Sequence, residues 1–242
     1  MKIVKGTFGE CRFCDNMDET HGLPSLEEKS WDLCLTDPPF NVNAKAHSQA
    51  KKKREDHVKE YNDNIENWDE FNLTWYNLIM EKCNCLIFTP GHVNVQWWYR
   101  NTEPRDFIIH VKPNGHGITS LFFHSKQEML LCYGKFPRKM FMNVHVISLL
   151  NGFRREDFWI HPHPKNLKLW NRIIKDVQPQ SVLDPFLGSG TTAEVCESLG
   201  IPWLGYEIME EYAPDIEKRI ERGKKKYQQE SLDRFMCGGV LK

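Results

Sequence analysis

The 242-residue sequence lacks any apolar run near the roughly 18 residues that a membrane-spanning helix requires. Its first residues also lack the apolar stretch of a secretory signal peptide. These absences predict a soluble protein that is not secreted and does not bind a membrane.

A net charge of one sign is also lacking, because 32 lysine and arginine residues nearly cancel 33 aspartate and glutamate residues. Any polyanionic partner must therefore be met by a local basic patch. Apolar residues make up 40% and charged residues 27%, near the average of globular proteins, which excludes general disorder and fibrous repeats. The length is that of one large domain with room for a modest insertion.

The eight cysteines do not have the pattern of a disulfide scaffold, because the chain is far longer than such small secreted domains. Most lie inside apolar, strand-like runs, as Cys34 and Cys85 do, and this favours reduced thiols in the core. Cys11 and Cys14 have the spacing of zinc ligands, but nearby Cys34 and His21 do not form a second matched pair. We therefore predict no metal site and keep zinc at Cys11 and Cys14 as the weaker alternative.

Short β-rich runs alternate with longer helical patterns along the chain, which predicts an α/β fold with a mostly parallel sheet. The candidate strands are apolar and are followed by turn-forming residues; they are residues 31–35, 85–89, 107–111, 128–133, 181–184 and 203–207. The candidate helices have apolar residues at steps of three and four; they are residues 68–82, 166–177, 191–199 and 212–227.

We predict a single domain over residues 1–230, interrupted by two irregular stretches. Residues 43–67 are polar and charged without apolar periodicity, which favours a mobile surface loop. Residues 134–160 mix basic, aromatic and apolar side chains without a clear period, which favours a small insertion. Residues 231–242 form a short polar tail that we expect to be frayed.

The first motif, Thr-Asp-Pro-Pro-Phe at residues 36–40, directly follows a candidate strand. Pro38 and Pro39 lack backbone donors and restrict φ, so the turn is rigid and its carbonyl groups remain free to accept hydrogen bonds. The Asp37 carboxylate, the Pro38 carbonyl and the Phe40 ring would together suit a planar ring that carries an exocyclic amine. A strand-ending turn with a packed phenylalanine is an equally good interpretation of this motif by itself.

The second motif, Asp-Pro-Phe-Leu-Gly-Ser-Gly-Thr-Thr at residues 184–192, leads from a candidate strand through a glycine turn into a candidate helix. This arrangement lets a nucleoside-type cofactor approach the backbone at the carboxyl end of a strand. The spacing matches neither the dinucleotide fingerprint nor the phosphate loop, which disfavours a nicotinamide cofactor and ATP. Glu207 ends the next strand roughly 20 residues after the glycines, the distance at which a carboxylate reaches ribose hydroxyls. The competing interpretation is a structural glycine turn followed by an exposed glutamate without a ligand. In either interpretation we expect the strand-end carboxylate of Glu207 to be exposed.

In this order the two motifs resemble the amino-group DNA methyltransferases, in particular the permuted subclass in which the Asp-Pro-Pro-aromatic motif precedes the glycine-rich motif. The likeness extends over residues 9–219 and includes an opening strand pair, the segment after a mobile loop and a His-Pro-x-x-Lys element. These segments are Gly9-Glu10-Cys11, Trp31-Asp32-Leu33, Tyr61-Asn62-Asp63-Asn64 and His161-Pro162-His163-Pro164-Lys165. Glu207 and Tyr212 match the last part of the family's sequence pattern. The chain departs from the family at Asn166, where a proline is usual, and at Glu10, where an aspartate is common.

The resemblance implies a Rossmann-like methyltransferase fold with a mostly parallel, seven-stranded sheet, helices on both faces and a target-recognition insertion at residues 134–160. It implies S-adenosylmethionine as cofactor, with Asp184 either ordering the glycine turn or binding the methionine amino group. The implied catalytic residues are Asp37, Pro38, Pro39 and Phe40. The implied cofactor-binding residues are Asp184, Phe186, Gly188, Ser189, Gly190, Thr191, Glu207 and Lys165.

The expected reaction is methyl transfer to the exocyclic N6 amine of adenine in DNA. Methylation of the cytosine N4 amine is the alternative, since relatives that act on cytosine more often carry serine than aspartate in the first motif. A cofactor-binding relative without turnover is a third interpretation, and RNA is a less favoured substrate. Lys51, Lys52, Lys53 and Arg54 are expected to contact DNA phosphates, against the alternative of a merely solvated loop.

The resemblance leaves a monomer or a homodimer open and allows a cognate restriction nuclease as partner. It implies the cytoplasm as location, in a prokaryote or through a virus of a prokaryote.

Overall fold

The computed structural model describes residues 1–41, 65–113, 126–137, 142–148 and 164–238. Of the expected loop at 43–67, only residues 65–67 lie in these ranges, and of the expected insertion at 134–160 only 134–137 and 142–148 do. Most of both predicted segments therefore lies outside the described residues.

The described residues form nine strands and five α-helices. The strands are β1 (Lys2–Lys5), β2 (Gly9–Phe13), β3 (Trp31–Thr36), β4 (Cys83–Phe88), β5 (Asp106–Val111), β6 (Gln127–Gly134), β7 (Val144–Val146), β8 (Val182–Asp184) and β9 (Trp203–Glu207). The helices are α1 (Trp68–Lys82), α2 (Val95–Asn101), α3 (Leu167–Val177), α4 (Thr191–Leu199) and α5 (Ala213–Gly238).

All these strands join one sheet in the order β1-β2-β9-β8-β3-β4-β6-β5-β7. Strands β2, β9, β8, β3 and β4 run parallel, whereas β6 is antiparallel to both β4 and β5. The predicted α/β class is confirmed, but the described sheet has nine strands where the resemblance implied seven. The two additional strands are the outermost, β1 and β7, and each buries a single residue. Because each of these strands buries only one residue, the sequence has no apolar run that would predict them.

Helices cover both faces of the sheet, as predicted. Side chains alternate along a strand, so Leu33 and Leu35 of β3 face one layer while Cys34 faces the other. Helices α3, α4 and α5 pack on the Leu33 face, and α1 and α2 pack on the Cys34 face through Trp75 and Trp98. Two apolar layers therefore enclose the parallel strands.

Helix α3 begins at a capped residue. The side chain of Asn166 accepts hydrogen bonds from the backbone N–H groups of Lys168, at 3.0 Å, and Leu169, at 3.2 Å. Asparagine is among the strongest N-cap residues because its side-chain oxygen satisfies donors that have no partner within the helix. The family's usual proline is therefore replaced here by a residue that fixes the start of α3.

Helix α5 continues to Gly238, beyond both the predicted helix end at 227 and the start of the expected frayed tail at 231. In its later turns the apolar side chains of Leu232 and Phe235 are exposed, and none of the described side chains from 228 to 235 is buried. Helical periodicity therefore did not reveal these turns. None of the helices in the described ranges is both long and apolar enough to cross a lipid bilayer.

The topology gathers the carboxyl ends of five parallel strands at one edge of the sheet. The chain moves outward from β3 to β4 on one side, and β8 and β9 fill the other side of β3. Ligands of open α/β sheets bind at such a switch point, outside the carboxyl ends of the strands. The residues that follow β3 and β8 therefore meet at this edge, although they are far apart in the sequence.

A buried carboxylate joins the β1–β2 hairpin to this core. Glu197 of α4 is fully buried and accepts hydrogen bonds from the N–H groups of Thr7, at 3.0 Å, and Phe8, at 2.9 Å, and from Trp203 Nε1, at 2.8 Å. We expect Glu197→Ala to lower the free energy of unfolding by about 3 kcal/mol, because three donors lose their acceptor in the interior. Urea unfolding measures this change.

The matched control is Glu221→Ala, which removes a helical glutamate whose side chain is 60% exposed and which pairs with Lys224. This substitution should change the free energy of unfolding by less than about 0.5 kcal/mol. Equal effects of the two substitutions would mean that Glu197 does not hold the hairpin.

Candidate active site

Asp184 connects the two sequence motifs. Its Oδ1 accepts hydrogen bonds from Thr36 Oγ1, at 2.6 Å, and from Phe186 N, at 3.1 Å, and its Oδ2 accepts one from Thr192 Oγ1, at 2.5 Å. Burial raises the pKa of Asp184 to about 6, although these hydrogen bonds act to lower it. Thr36 directly precedes Asp37, so Asp184 joins β3, the glycine turn and α4. This geometry favours ordering of the turn as the role of Asp184, the first of its two expected roles.

The glycine turn has a backbone that side chains would not allow. Gly188 and Gly190 have φ of 54° and 85°, in the left-handed region that favours glycine. A Cβ at Gly190 would also lie 3.2 Å from a side-chain atom of Ile216. Ser189 and Thr191 are both 4% exposed, and their hydroxyl oxygens lie 3.5 Å apart. The turn is therefore close-packed and leaves its backbone at the sheet edge.

The predicted pocket residue Phe186 follows Asp184 directly. Its ring centroid lies 6.0 Å from that of Phe71 and 5.6 Å from that of Trp75. Both partners belong to α1, so Phe186 links the glycine turn to the layer on the Cys34 face of the sheet.

The expectation that Glu207 is exposed is wrong, because only 9% of this residue is accessible. Its Oε2 accepts a hydrogen bond from Gly188 N, at 2.9 Å, and its Oε1 accepts one from Met209 N, at 2.8 Å. Burial nevertheless raises the pKa of Glu207 to about 7. The cause of this rise is desolvation, and hydroxyl groups of a ribose would add donors to the ionised carboxylate.

These residues fit a nucleoside cofactor. Gly188 is the partly exposed glycine of the turn, and its N–H donates a hydrogen bond to the carboxylate of Glu207 across the ends of β8 and β9. A carboxylate has about four lone-pair sites and can accept hydrogen bonds from hydroxyl groups in addition to those from the backbone. The predicted association of the glycine motif with Glu207 therefore has a geometric basis.

The Asp-Pro-Pro-Phe turn begins where β3 ends, on the other side of the switch point. The Asp37 Oδ1 accepts hydrogen bonds from Thr89 Oγ1 and, at 2.6 Å, from Lys165 Nζ. The Phe40 carbonyl accepts a hydrogen bond from Asn94 Nδ2, at 2.8 Å. A Cβ at Gly91 would lie 2.8 Å from the Phe40 ring, so this glycine lets the ring sit against the backbone after β4. The turn is thus held by the segment that follows β4.

Burial raises the pKa of Asp37, while the ammonium of Lys165 lowers it and the carboxylate of Glu128 raises it. Pro38 is buried and Pro39 is half-buried. The Asp37 carboxylate itself remains 22% exposed at the sheet edge. An acceptor is therefore available there to a planar amine.

Lys165 lies beside the Asp-Pro-Pro-Phe turn, whereas the resemblance implied a cofactor contact. Its Nζ lies 2.6 Å from Asp37 Oδ1, 3.1 Å from Glu128 Oε1 and 5.4 Å from the centroid of the Phe40 ring. Burial acts to lower the pKa of Lys165, but the two carboxylates outweigh it and the net pKa is raised. Lys165 therefore stays an ammonium between two acids.

Sequence reasoning did not find four residues of this site, namely Asn16, Thr89, Asn94 and Glu128. Asn16 Nδ2 donates to the carbonyl of Pro185, at 2.9 Å, and so supports the glycine turn from the loop after β2. Glu128 lies near the start of β6, and only the antiparallel course of β6 brings it to the edge where the parallel strands end. The sequence signal for two of these residues was their position, since Thr89 is the last residue of one predicted strand and Glu128 is the first residue of another.

The predicted DNA contacts at Lys51, Lys52, Lys53 and Arg54 lie outside the described residues. Within the described part of the chain, no group of three or more His, Cys, Asp or Glu side chains could hold a metal ion. Free thiols are found at Cys11, Cys14, Cys34, Cys83, Cys85, Cys132 and Cys196. Burial raises the pKa of Cys11 and, less strongly, of Cys14.

A glycine turn at the end of one parallel strand, a carboxylate at the end of its neighbour and an Asp-Pro-Pro-Phe turn across the switch point characterise a Rossmann-like methyltransferase. The chain belongs to the DNA methylase family of N6 and N4 amino-methyltransferases. The family model matches residues 31–218, which contain both motifs.

Relatives with similar sequences are Type II methyltransferases. The chain is 26% identical over 234 residues to M.HpaI of Haemophilus parainfluenzae, a match that covers 82% of this chain and 71% of the relative. It is 24% identical over 241 residues to M2.DpnII of Streptococcus pneumoniae, covering 82% of this chain and 85% of the relative.

Solved structures have the same fold. The M1.HpyAVI–SAM complex matches with a TM-score of 0.60 and 21% identity, covering 87% of this chain and 99% of that one. The cytosine-N4-specific PvuII DNA methyltransferase matches with a TM-score of 0.61 and 16% identity, covering 93% of both chains. Because the sequence identity is only 21% and 16%, these two matches show the shared fold and nothing further about function.

Family membership confirms the resemblance to the amino-group DNA methyltransferases and confirms S-adenosylmethionine as the cofactor. The family includes enzymes that act on either amine, so membership does not distinguish adenine from cytosine.

Proposed function

We propose that this protein is a DNA adenine methyltransferase, which transfers the methyl group of S-adenosylmethionine to the N6 amine of adenine. The observation that carries the proposal is the Asp37 carboxylate, which stands at the switch point and is linked through Thr36 to the glycine turn by a 2.6 Å hydrogen bond to Asp184. An acceptor for an amine and a cradle for a nucleoside cofactor therefore share one edge of the sheet.

The chemistry explains why an acceptor pair is needed. The lone pair of an aromatic amine is delocalised into the ring, so the amine must be held in line with the methyl donor by preorganised acceptors. We assign this task to the Asp37 carboxylate and the Pro38 carbonyl, with Phe40 stacking on the base. The nitrogen would form a bond to the methyl group as the bond between the methyl carbon and the sulfonium breaks, which leaves a neutral thioether. The nitrogen would also lose one proton, and the Asp37 carboxylate that accepts its hydrogen bond is placed to take it.

The cofactor supplies an electrophilic methyl group bonded to a sulfonium. Glu207 would accept hydrogen bonds from its ribose hydroxyls, and Gly188 and Gly190 would allow its close approach to the backbone. Phe186, Ser189 and Thr191 would complete the pocket wall. Asp184 would keep the glycine turn in place.

The target base must leave the duplex, because base pairing buries the exocyclic amine. Flipping an adenine out costs a few kcal/mol, which stacking on an aromatic ring and hydrogen bonds in the pocket can offset. The half-exposed Phe40, beside Asp37, suits this stacking. Residues 134–160 remain our candidate for target recognition.

Methylation of cytosine N4 is the second candidate. It is favoured by the fold match to the cytosine-N4-specific PvuII enzyme, which is as good as the match to M1.HpyAVI. Adenine is favoured by the aspartate in the first motif. Because the family includes enzymes that act on either amine, the methylated product must decide between the two candidates.

The test is a methylation assay with synthetic duplexes, followed by mass analysis of the released nucleosides. We expect N6-methyladenine. Detection of N4-methylcytosine would show that the protein is a cytosine methyltransferase instead. Binding of the cofactor without methyl transfer to any duplex would show that the protein is a cofactor-binding relative without turnover.

The names of the relatives also support a role in restriction and modification. M.HpaI and M2.DpnII are Type II methyltransferases, so we propose a cognate restriction nuclease as the functional partner. An intracellular location in a prokaryotic cytoplasm, or in a cell infected by a virus that encodes the protein, follows from this role.

DNA binding by a nearly neutral chain requires local cations, and Lys51, Lys52, Lys53 and Arg54 form a dense basic run beside the first motif in sequence. Replacing all four with glutamine should weaken binding to every sequence alike and reduce the dependence of affinity on salt, since phosphate contacts release counterions. Fluorescence anisotropy at several salt concentrations measures both effects. An unchanged salt slope would leave the run as a solvated connector.

A further inference from the structure

A chain of ionisable side chains leads from the proposed acceptor into the sheet. Lys165 Nζ lies 2.6 Å from Asp37 Oδ1 and 3.1 Å from Glu128 Oε1. Glu128 Oε2 in turn lies 3.1 Å from Lys112 Nζ and 3.5 Å from His110 Nδ1. The side chains of Asp37, Lys165 and Glu128 are only 16–22% exposed, so solvent screens their interactions weakly.

Each member of this chain is positioned by a different element. Lys165 directly precedes Asn166, whose side chain caps α3. Glu128 is paired with His110 in the register between β6 and β5. The His110 ring is itself held, since its Nε2 lies 3.0 Å from the carbonyl oxygen of Ile147. The ammonium of Lys165 is therefore held from two sides.

The contacts on Asp37 are asymmetric. Within the described residues, both Lys165 and Thr89 contact Oδ1 of the carboxylate. Such contacts fix the plane of the carboxylate and leave Oδ2 as the oxygen for an incoming amine. An amine that must be held in line needs an acceptor whose direction is set before it arrives.

The electrostatics favour the same role. Burial raises the pKa of Asp37, and Lys165 opposes that rise. Burial also acts to raise the pKa of Glu128, but Lys165, His110 and Lys112 outweigh it and hold that pKa well below its usual range. Without the ammonium, two buried carboxylates would face each other, and a proton would be retained by one of them.

We propose that Lys165, anchored by Glu128, is the positioning residue that orients Asp37 and keeps it ionised, so that Oδ2 accepts a hydrogen bond from the target amine. This assignment differs from the cofactor contact that the resemblance implied for Lys165. It rests on the proposed function, because the amine must be the group that Asp37 holds. Glu128 acts through Lys165 and does not touch substrate.

The experiment compares Lys165→Met, Lys165→Arg and Glu128→Gln with Arg172→Met. The control removes a cation of α3 whose side chain is 54% exposed and pairs only at the surface with Asp176. For each protein we measure the single-turnover rate of methyl transfer against pH and, without DNA, the affinity for S-adenosylmethionine by calorimetry. The calorimetric affinity separates a cofactor contact from a positioning role.

We expect Lys165→Met to lower the single-turnover rate at neutral pH by about 100-fold, because a misplaced acceptor costs that much. The acid limb of its pH–rate profile should move to higher pH by about one unit, since Asp37 loses the ammonium that lowers its pKa and still faces Glu128 and Asp184. Cofactor affinity should stay within about twofold of wild type, because the proposal gives Lys165 no contact with the cofactor. Lys165→Arg should retain most of the rate and the original acid limb.

Lys165→Met removes the cation between two carboxylates and can fail to fold, so the double variant Lys165→Met/Glu128→Gln provides a second comparison. Measured against Glu128→Gln, this double variant should still show the lower rate and the shifted acid limb. An unchanged pH profile in both variants would overturn the positioning role. A loss of cofactor affinity above about tenfold would instead identify Lys165 as a cofactor contact.

The two proposals fail in distinguishable ways. If the wild-type protein transfers no methyl group to DNA, the proposed function fails at the first measurement. If wild type is active and Lys165→Met behaves like Arg172→Met, only the role of Lys165 is overturned.

Discussion

Asp37→Ala is expected to lower the single-turnover rate of methyl transfer by at least about 1000-fold, the upper range for removing one preorganised hydrogen-bonding group from a transition state. Affinity for S-adenosylmethionine should persist, because Asp37 reaches the glycine turn only through Thr36 and Asp184. The folded state should also persist, since Lys165 keeps its 3.1 Å contact with Glu128. Rapid-quench assays with tritiated cofactor and calorimetry measure the two quantities.

Two further variants sharpen this prediction. Asp37→Asn keeps one oxygen acceptor without the charge, so its rate should lie between those of wild type and Asp37→Ala. Asp233→Ala removes an exposed carboxylate near the end of α5 and should leave the rate unchanged. Near-normal turnover in Asp37→Ala would exclude the carboxylate as the acceptor of the amine.

Glu207→Gln is expected to weaken S-adenosylmethionine binding by about 30-fold, because charged acceptors bind hydroxyl donors more strongly than neutral ones do. The glutamine retains an oxygen for one of the N–H groups of Gly188 and Met209, so the glycine turn should remain folded. Glu207→Ala should bind the cofactor more weakly still and also lose stability, since both donors are left without that acceptor.

The pH dependence of binding tests the same assignment. Burial raises the pKa of Glu207 from 4.5 to about 7 in the free protein, and ribose hydroxyls would bind the ionised form. Cofactor affinity of wild type should therefore fall as pH decreases through 7, whereas Glu207→Gln should lack this dependence. Calorimetry in buffers of different ionisation enthalpy should detect proton release on binding near neutral pH. A flat profile in wild type would mean that Glu207 does not hold the ribose.

The same shift affects the stability of the free protein in the opposite sense. Because the folded pKa of Glu207 lies above its unfolded value, the folded state binds more protons between pH 4.5 and 7 and loses stability as pH rises. A shift from 4.5 to about 7 corresponds to roughly 3 kcal/mol over this window. The ionised carboxylate of Glu207 thus lowers the stability of the free protein near neutral pH, and hydrogen bonds from bound ribose hydroxyls would offset this loss.

The sequence by itself determined the class of the protein and most of its elements. Helices at 68–82 and 191–199 and the strand at 203–207 were predicted with the bounds that α1, α4 and β9 have. Their apolar spacing is strong and their ends are marked, as at Gly190 and Gly200, both of which adopt positive φ. The two motifs were found because consecutive prolines and closely spaced glycines restrict or free the backbone in ways that sequence alone makes visible.

Only the tertiary structure decided which charges meet. Lys165, Glu128 and Asp37 lie on segments far apart in the chain, and the fold brings Lys165 Nζ to 2.6 Å from Asp37 Oδ1 and 3.1 Å from Glu128 Oε1. Whether a strand-end carboxylate is exposed or buried depends on what packs over it, which is why Glu207 was expected at the surface and lies 9% exposed. The local sequence determines backbone preferences and apolar periodicity. Burial and ion pairing, which shift the pKa values of active-site groups, depend on packing between residues that are far apart in the sequence.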